Sequence, residues 1–324
     1  MKVFRMRLVR WIAMACVMSC VQSLRAEKDP APLELGRITV GGFTGDDHQE
    51  YILDAMVPIW KKGDSMLLLQ PRGTLRSDDE QALSGGFVAR RLLPAHEVIL
   101  GMNLFYDQSW TEGGNTFGQV GGGLEVLSKW VDARGNYYYP VTDDKPLSER
   151  ESGALALTRT YREALQGYDT EVGVWLPYLS RVAPTALFAG YYDFSGDIGK
   201  EDVDGIKLRA ELRPHPNITL DAEWFEHSED GKSEYLVGVR LNLPLDFHRG
   251  VRLDRRGSAG ARVRDFSTRM LDPVQRSFQV MTRETDVTSI SVAPQVSGGD
   301  QSDECIQYAD LDSEGNVVII TICP

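Results

Sequence analysis

Residues 206–213 read Ile206-Lys207-Leu208-Arg209-Ala210-Glu211-Leu212-Arg213. In an extended chain Ile206, Leu208, Ala210 and Leu212 share one face, and Lys207, Arg209, Glu211 and Arg213 share the other. A period of two with that contrast predicts a strand with one apolar and one ionised face. The pattern recurs on both sides of this stretch. Ile218, Leu220, Ala222 and Trp224 alternate with Thr219, Asp221 and Glu223. Tyr235, Val237, Val239, Leu241 and Leu243 stand against Arg240 and Asn242. Val98, Leu100, Met102, Leu104 and Tyr106 stand against Gly101, Asn103 and Asp107, and Tyr168, Thr170, Val172, Val174 and Leu176 against Asp169, Glu171 and Gly173. Turn signals between such runs predict strands at 37–44, 49–60, 65–75, 81–92, 98–108, 116–127, 131–140, 167–176, 185–194, 204–213, 218–227 and 235–244. Alternation is weakest in 185–194.

Many of these strands approach the ~9–11 residues that a tilted strand needs to cross a bilayer. Their connections alternate between two classes. One is mostly short and carries Pro94, Pro177, Pro184, Pro214 and Pro216; the other includes the insertion 141–166 and polar tips such as 228–232. An all-β, antiparallel, up-and-down transmembrane barrel of about 12 strands has this asymmetry between its rims. A soluble exported β-protein would show the same alternation with its faces reversed. Strand length, an export signal and aromatic strand ends (Tyr106, Tyr137 to Tyr139, Tyr191, Tyr192, Trp224, Tyr235) favour lipid outside. The lumen would then hold Lys207, Arg209, Glu211, Arg213, Asp221, Glu223 and Arg240.

Composition and targeting agree. The 324 residues carry 35 Lys+Arg against 47 Asp+Glu, a net charge of −12, and the mean hydropathy is −0.27. That excludes a multi-helix membrane protein and argues against a nucleic-acid partner. Lys2, Arg5, Arg7 and Arg10 precede the apolar run 11–21, and Ala26 ends a cleavage-like site, so 1–26 reads as a signal peptide. Acylation at Cys20 is a competing reading, poorly matched because Met18 stands where a small residue is usual. Cleavage after Ala26 leaves Cys305 and Cys323, for which an oxidising compartment makes a disulfide the default expectation.

Several stretches carry a family resemblance. Residues 86–93 (GFVARRLL), followed after a short turn by 98–107 (VILGMNLFYD), resemble the inverse autotransporter β-domain, the translocator of the intimin/invasin adhesins. Residues 117–125 (FGQVGGGLE), 136–140 (NYYYP), 167–173 (GYDTEVG), 216–220 (PNITL) and 235–243 (YLVGVRLNL) resemble further family strands in the family's order. The resemblance spans about residues 36–245. It implies a 12-stranded outer-membrane barrel with a periplasmic N-terminus, and a C-terminal chain that returns through the pore to the cell surface. Residues 270–276 (MLDPVQR) are similar to the linker after such barrels, and Leu236, Gly238, Leu241 and Leu243 resemble the signal that the barrel-assembly machinery reads on a final strand.

The domain expectation is therefore a signal peptide at 1–26, a barrel at 27–248, a linker threading the pore at 249–297, and a small hairpin tail at 298–324. In the linker, Arg249, Arg252, Arg255, Arg256, Arg262, Arg264 and Arg269 could pair with lumen acids (Asp107, Asp169, Glu171, Asp221, Glu223) or remain a solvated run. Residues 278–293 read as one or two short strands, and 305–323 as a hairpin whose disulfide would contribute about 3 kcal/mol. About 75 residues follow residue 249, too few for the tandem repeats that the family usually carries.

No HExxH, paired CxxC, P-loop or GxSxG occurs. Asp310-x-Asp312-x-Glu314-Gly315 is an incomplete Ca²⁺ loop, since Thr321 occupies its twelfth position. His227 lacks a recognisable nucleophile nearby, and Gly121-Gly122-Gly123 reads as room for curvature or close approach in the lumen. The expectation is a non-enzymatic, cofactor-free outer-membrane anchor displaying a short C-terminal segment, with outer-membrane lipid, the assembly machinery and a host or cell-surface receptor as partners. A small porin-like channel or a structural outer-membrane protein is the alternative.

Overall fold

Period-two sequence becomes strand almost everywhere in the computed structural model. It describes residues 35–290 apart from 47, 112–113, 153–155, 177–182, 199–201, 228–232, 247–249 and 252–265, together with 306–311 and 317–322. Twelve antiparallel strands close a barrel. They are β1 (Leu35–Gly45), β2 (Gln49–Lys62), β3 (Ser65–Arg76), β4 (Gln81–Leu93), β5 (Val98–Trp110), β6 (Thr116–Ser128) and β7 (Val131–Pro140), then β10 (Gln166–Trp175), β11 (Thr185–Ser195), β12 (Val203–His215), β13 (Ile218–His227) and β14 (Ser233–Asp246). Each pairs with its neighbour, and β14 pairs with β1 from Leu35↔Asp246 to Gly45↔Leu236, so no barrel edge is left open.

Burial runs opposite to that of a soluble protein. Leu53, Phe87, Met102, Leu104, Leu124, Val172 and Leu208 lie on the outer face, with Leu124 67% exposed and Leu104 59%. Asp54, Arg90, Asp107, Glu125, Asp132, Arg209, Glu211 and Asp221 are buried inside. An apolar belt around a polar interior is the arrangement for a barrel whose outer solvent is hydrocarbon. Exposed Tyr106, Tyr137, Tyr139, Tyr191 and Tyr235 add aromatic rings to that surface. Two tyrosines expected among them do not belong there: Tyr138 and Tyr192 are buried and face inward beside Phe194. Inward-facing Ala186, Phe188, Tyr192 and Phe194 also explain the weak alternation of β11, because its inner face is not polar.

The two rims differ. One has short connections at Gly63–Asp64, at the 3₁₀ turn Pro94–His96, at Lys129–Trp130 and at Pro216–Asn217. The same rim holds the 176–184 connection; the other carries the longest of all, the insertion 141–166, and this is not the loop that its sequence suggested. It contains the hairpin β8 (Lys145–Ser152) and β9 (Ala156–Ala164), extended by β16 (Thr282–Ile290) into a three-stranded sheet ordered β16-β9-β8. Thr158, Thr160, Arg162 and Glu163 give that sheet no apolar face, so hydrophobic periodicity could not reveal it.

After β14 the chain adds the two-residue β15 (Gly250–Val251) and a 3₁₀ segment, Phe266–Leu271. It then runs without regular structure to β16. A final hairpin pairs β17 (Ile306–Leu311) with β18 (Val317–Ile322). The signal peptide, the cysteine pair Cys305 and Cys323, and Arg249, Arg252, Arg255, Arg256, Arg262 and Arg264 lie outside the described residues.

Candidate functional site

The barrel interior is the candidate site, and wall and tail build it together. On the wall, the ionised face of β12 meets its neighbours. Arg209 donates two hydrogen bonds to Glu171, at 3.0 Å from Nε and 2.7 Å from Nη2, and a third at 3.1 Å to Glu211. Arg240 grips Asp221 in the same forked way at 2.7 and 2.6 Å and reaches Glu211 at 3.4 Å. Arg134 joins Glu171 at 2.7 Å, and Arg213 donates to Glu211. Lys207 pairs with Glu223 at 3.3 Å nearer the long-loop rim. Arg209, Glu171, Glu211, Arg240 and Asp221 are desolvated, and planar guanidinium–carboxylate forks are the geometry that offsets such a cost. Arg209 also lies 3.8 Å above the Phe188 ring.

The tail enters from the short-turn rim. There Arg269 donates to both carboxylate oxygens of Asp132, at 3.0 and 2.6 Å, and to the Ser128 carbonyl at 2.7 Å. Asp272 accepts from Arg37 at 2.6 Å, Arg213 at 3.1 Å and Arg269 at 3.3 Å. Arg90, held by Glu125 at 2.6 Å, turns its Nη1 to the carbonyls of Met270 and Asp272. A cation is thus set against the carbonyl end of the 3₁₀ segment, where orphan acceptors gather.

Midway, Val274 N–H donates to Gln70 at 3.2 Å, and the Gln275 carbonyl accepts from Asn136 at 3.2 Å. Arg276 donates to Asp107 at 3.3 and 2.7 Å, with both side chains fully buried. Its guanidinium sits 4.6 Å from the Phe105 ring centroid and 5.0 Å from that of Tyr138. A Cβ on Gly121 would stand 2.3 Å from Arg276 Nη2, so a side chain there would push the guanidinium from its seat. Phe278 packs with Phe105, Met56, Leu68, Val88 and Val274.

Past Phe278, contacts reach the long-loop rim. Arg76 donates to Gln279 at 2.9 Å, Gln279 donates to Glu80, and Val280 N–H donates to Ser109 at 3.0 Å. Leu165 N–H donates to the Met281 carbonyl at 2.9 Å, after which β16 joins β9. Residues 269–281 therefore cross the whole lumen, from one rim to the other.

Of the arginines expected to pair with lumen acids, Arg269 alone lies among the described residues, and its partner is not one of the five acids expected. Of the acids Asp107, Asp169, Glu171, Asp221 and Glu223, Asp107 meets a tail arginine, and that arginine is Arg276, outside the basic run 249–269. Glu171, Asp221 and Glu223 pair with wall cations, and Asp169 accepts from Asn136 and Tyr138. Arg269 takes Asp132 instead. Sequence reasoning missed Arg37, Arg90, Glu125, Asp132, Arg134, Asp272 and Arg276. One signal was available: Asp272, Val274, Arg276, Phe278 and Val280 alternate with smaller or amide residues, the strand-like pattern of a segment buried on one side. Of the four residues resembling an assembly signal, Leu241 faces outward, while Leu236 and Gly238 lie on the inner-facing parity of β14; Leu243 shares the parity of Leu241. A Cβ on Gly238 would come within 2.2 Å of the Phe43 ring across the closing seam. Among the described residues, no three His, Cys, Asp or Glu side chains gather as a metal group. At the long-loop rim, burial and then nearby Glu163, Asp197 and Asp143 hold the Asp144 carboxyl above its usual range.

A family model for the inverse autotransporter β-domain matches residues 35–278. No curated protein matches the chain. A solved chain from work on the in-meso crystallization of membrane proteins superposes with a TM-score of 0.62 at 17% identity, over 78% of this chain and 100% of that one. That likeness shows a shared fold. An outer membrane channel from Pseudomonas putida F1 aligns with a TM-score of 0.41 at 14% identity, over 67% of this chain and 100% of that one.

Proposed function

Because the chain belongs to the inverse autotransporter β-domain family, whose members are outer-membrane barrels, we propose that it is a translocator and anchor that displays its own C-terminal segment at the cell surface. The observation that carries this reading is the passage of residues 269–281 through the lumen, pinned at the short-turn rim by Arg269 and Asp272 and at the long-loop rim by Gln279 and Val280. With short turns on the periplasmic side, the usual orientation of such barrels, the hairpin 306–322 comes to lie outside. The proposed domains follow: a signal peptide at 1–26, a barrel at 27–248, a threading linker at 249–297 and a disulfide-closed hairpin tail at 298–324 joined by Cys305 and Cys323.

The role needs no catalysis and no cofactor. Its partners are outer-membrane lipid, the assembly machinery reading Leu236, Gly238, Leu241 and Leu243, and a host or cell-surface receptor contacted by the exposed segment in adhesion. The test is labelling of intact cells with a membrane-impermeant maleimide, in a cysteine-free background carrying Ser297→Cys or Asp64→Cys. Ser297→Cys should label on intact cells and Asp64→Cys only after permeabilisation. The reverse pattern, or equal labelling of both, overturns the proposal.

A further inference from the structure

The tail fills the lumen unevenly. Past Pro273 its hydrogen bonds lie on Gln70, Ser84, Asp107, Ser109, Asn136 and Tyr138, which belong to β3, β4, β5 and β7, whereas Asp272 also meets Arg37 of β1 and Arg213 of β12. Two cavities lie beside it, both bordering β14 and β12, the smaller also β7 and β10 and the larger also β2, β3, β10 and β11. One, about 100 Å³, lies toward the short-turn rim, where its lining includes His215, Pro216 and Trp130. The other, about 290 Å³, lies toward the long-loop rim, where its lining includes His48, Glu234 and Gln279. Both border the same two residues, Arg240 of the wall and Gln275 of the tail. Each is well above the ~10–15 Å³ that one water needs, and each is lined by polar groups that hold water.

We propose that these cavities form one aqueous path beside the threaded tail, conducting small inorganic anions across the barrel, with Arg240 and Gln275 as its constriction. The proposal rests on the threaded tail described above. Arg240 is fixed at the narrow point by its fork to Asp221 and its contact with Glu211, so the constriction is held rather than floppy. The preference for anions comes from the smaller cavity. Arg37, Lys129, Arg134, Arg213 and Arg269 line it, whereas its carboxylates are Glu211 and Asp272. Rings of Arg and Lys favour anions in a pore by the same physics that makes carboxylate rings favour cations. The larger cavity has acids and bases in near balance, among them Glu50, Glu223, Arg72 and Lys207, and adds little discrimination.

The experiment is single-channel recording of the full-length protein in planar bilayers across a KCl gradient. Folding is checked for each variant by heat-modifiable migration on gels. The expected wild-type behaviour is small discrete steps with a reversal potential toward chloride. Arg240→Ala should widen the constriction, raising the step by about twofold or more and moving the reversal potential toward zero. Gln275→Ala is the second variant. Its backbone carbonyl still meets Asn136, so the tail stays docked, and the step should again rise. Absence of current from folded, inserted wild type and both variants overturns the path while leaving the threaded tail intact. A cation preference in the wild type overturns the assignment of selectivity. A large conductance indifferent to Gln275→Ala overturns both the path and the threading on which it rests.

Discussion

Replacing Arg276 by Met tests how firmly the tail is held inside the barrel. The substitution keeps the unbranched stem and removes the charge. Asp107 would lose two hydrogen bonds, at 3.3 and 2.7 Å, and retain one from Gln119 at 3.1 Å. Neither member of the pair touches solvent, so water cannot take the vacated place without repacking. Removing one partner of such a buried pair costs about 3–5 kcal/mol. Loss of the guanidinium from the rings of Phe105, Tyr138 and Phe278 adds about 1 kcal/mol or more. Asp107→Asn should cost less, because an amide still accepts one hydrogen bond. The double variant Asp107→Asn/Arg276→Met leaves no uncompensated charge, and should fall short of the summed singles by about 2–3 kcal/mol. Urea unfolding in lipid vesicles, followed by tryptophan fluorescence, gives the three values. Strictly additive singles, or a loss below about 1 kcal/mol for Arg276→Met, would refute the claim that this pair locks the tail.

Three further outcomes follow from other regions. Leu104→Arg should cost about 2–4 kcal/mol of vesicle-measured stability, as a charge on a lipid-facing strand does near the midplane; an unchanged urea midpoint would place that face in water. Gly238→Leu should destabilise the seam by about 1–3 kcal/mol, read as a smaller heat-modifiable folded fraction, because even a Cβ meets the Phe43 ring at 2.2 Å. Asp144 binds its proton more tightly in the folded rim than in the unfolded chain, so its contribution falls as pH rises through and above the ordinary carboxylate range. Asp144→Asn should therefore slow proteolysis of 145–164 at neutral pH and make no difference in acid; equal rates at both pH values would contradict this.

How much of this was legible in the sequence depends on what each feature needs. Strand parity needs only contrast between faces, and Lys207, Arg209, Glu211 and Arg213 supplied it. Pairing needs the stagger of neighbouring strands as well. Arg240 sits opposite Thr219 in the ladder yet grips Asp221 on the diagonal, and no spacing within one strand announces that. The β8–β9 hairpin was hidden because both of its faces are polar. Among the described residues the docked stretch is 269–281, and only Arg269 of the run 249–269 belongs to it, while the most deeply buried tail arginine, Arg276, lies beyond the run. Charge density marks a segment that can meet acids, but the fit of Gly121 and Phe105 around one guanidinium decides which arginine does.

In the cluster of Phe105, Met56, Leu68, Val88, Val274 and Phe278, four side chains come from the wall and two from the tail. The barrel thus borrows part of its own inner lining from the segment that runs through it. A chimera spliced downstream of Met281 would inherit a complete bore. One spliced upstream would leave Asp107, Asp132 and an aromatic pocket facing a stranger. The packed unit of the barrel ends at the far mouth of the lumen, not at the last strand of the wall.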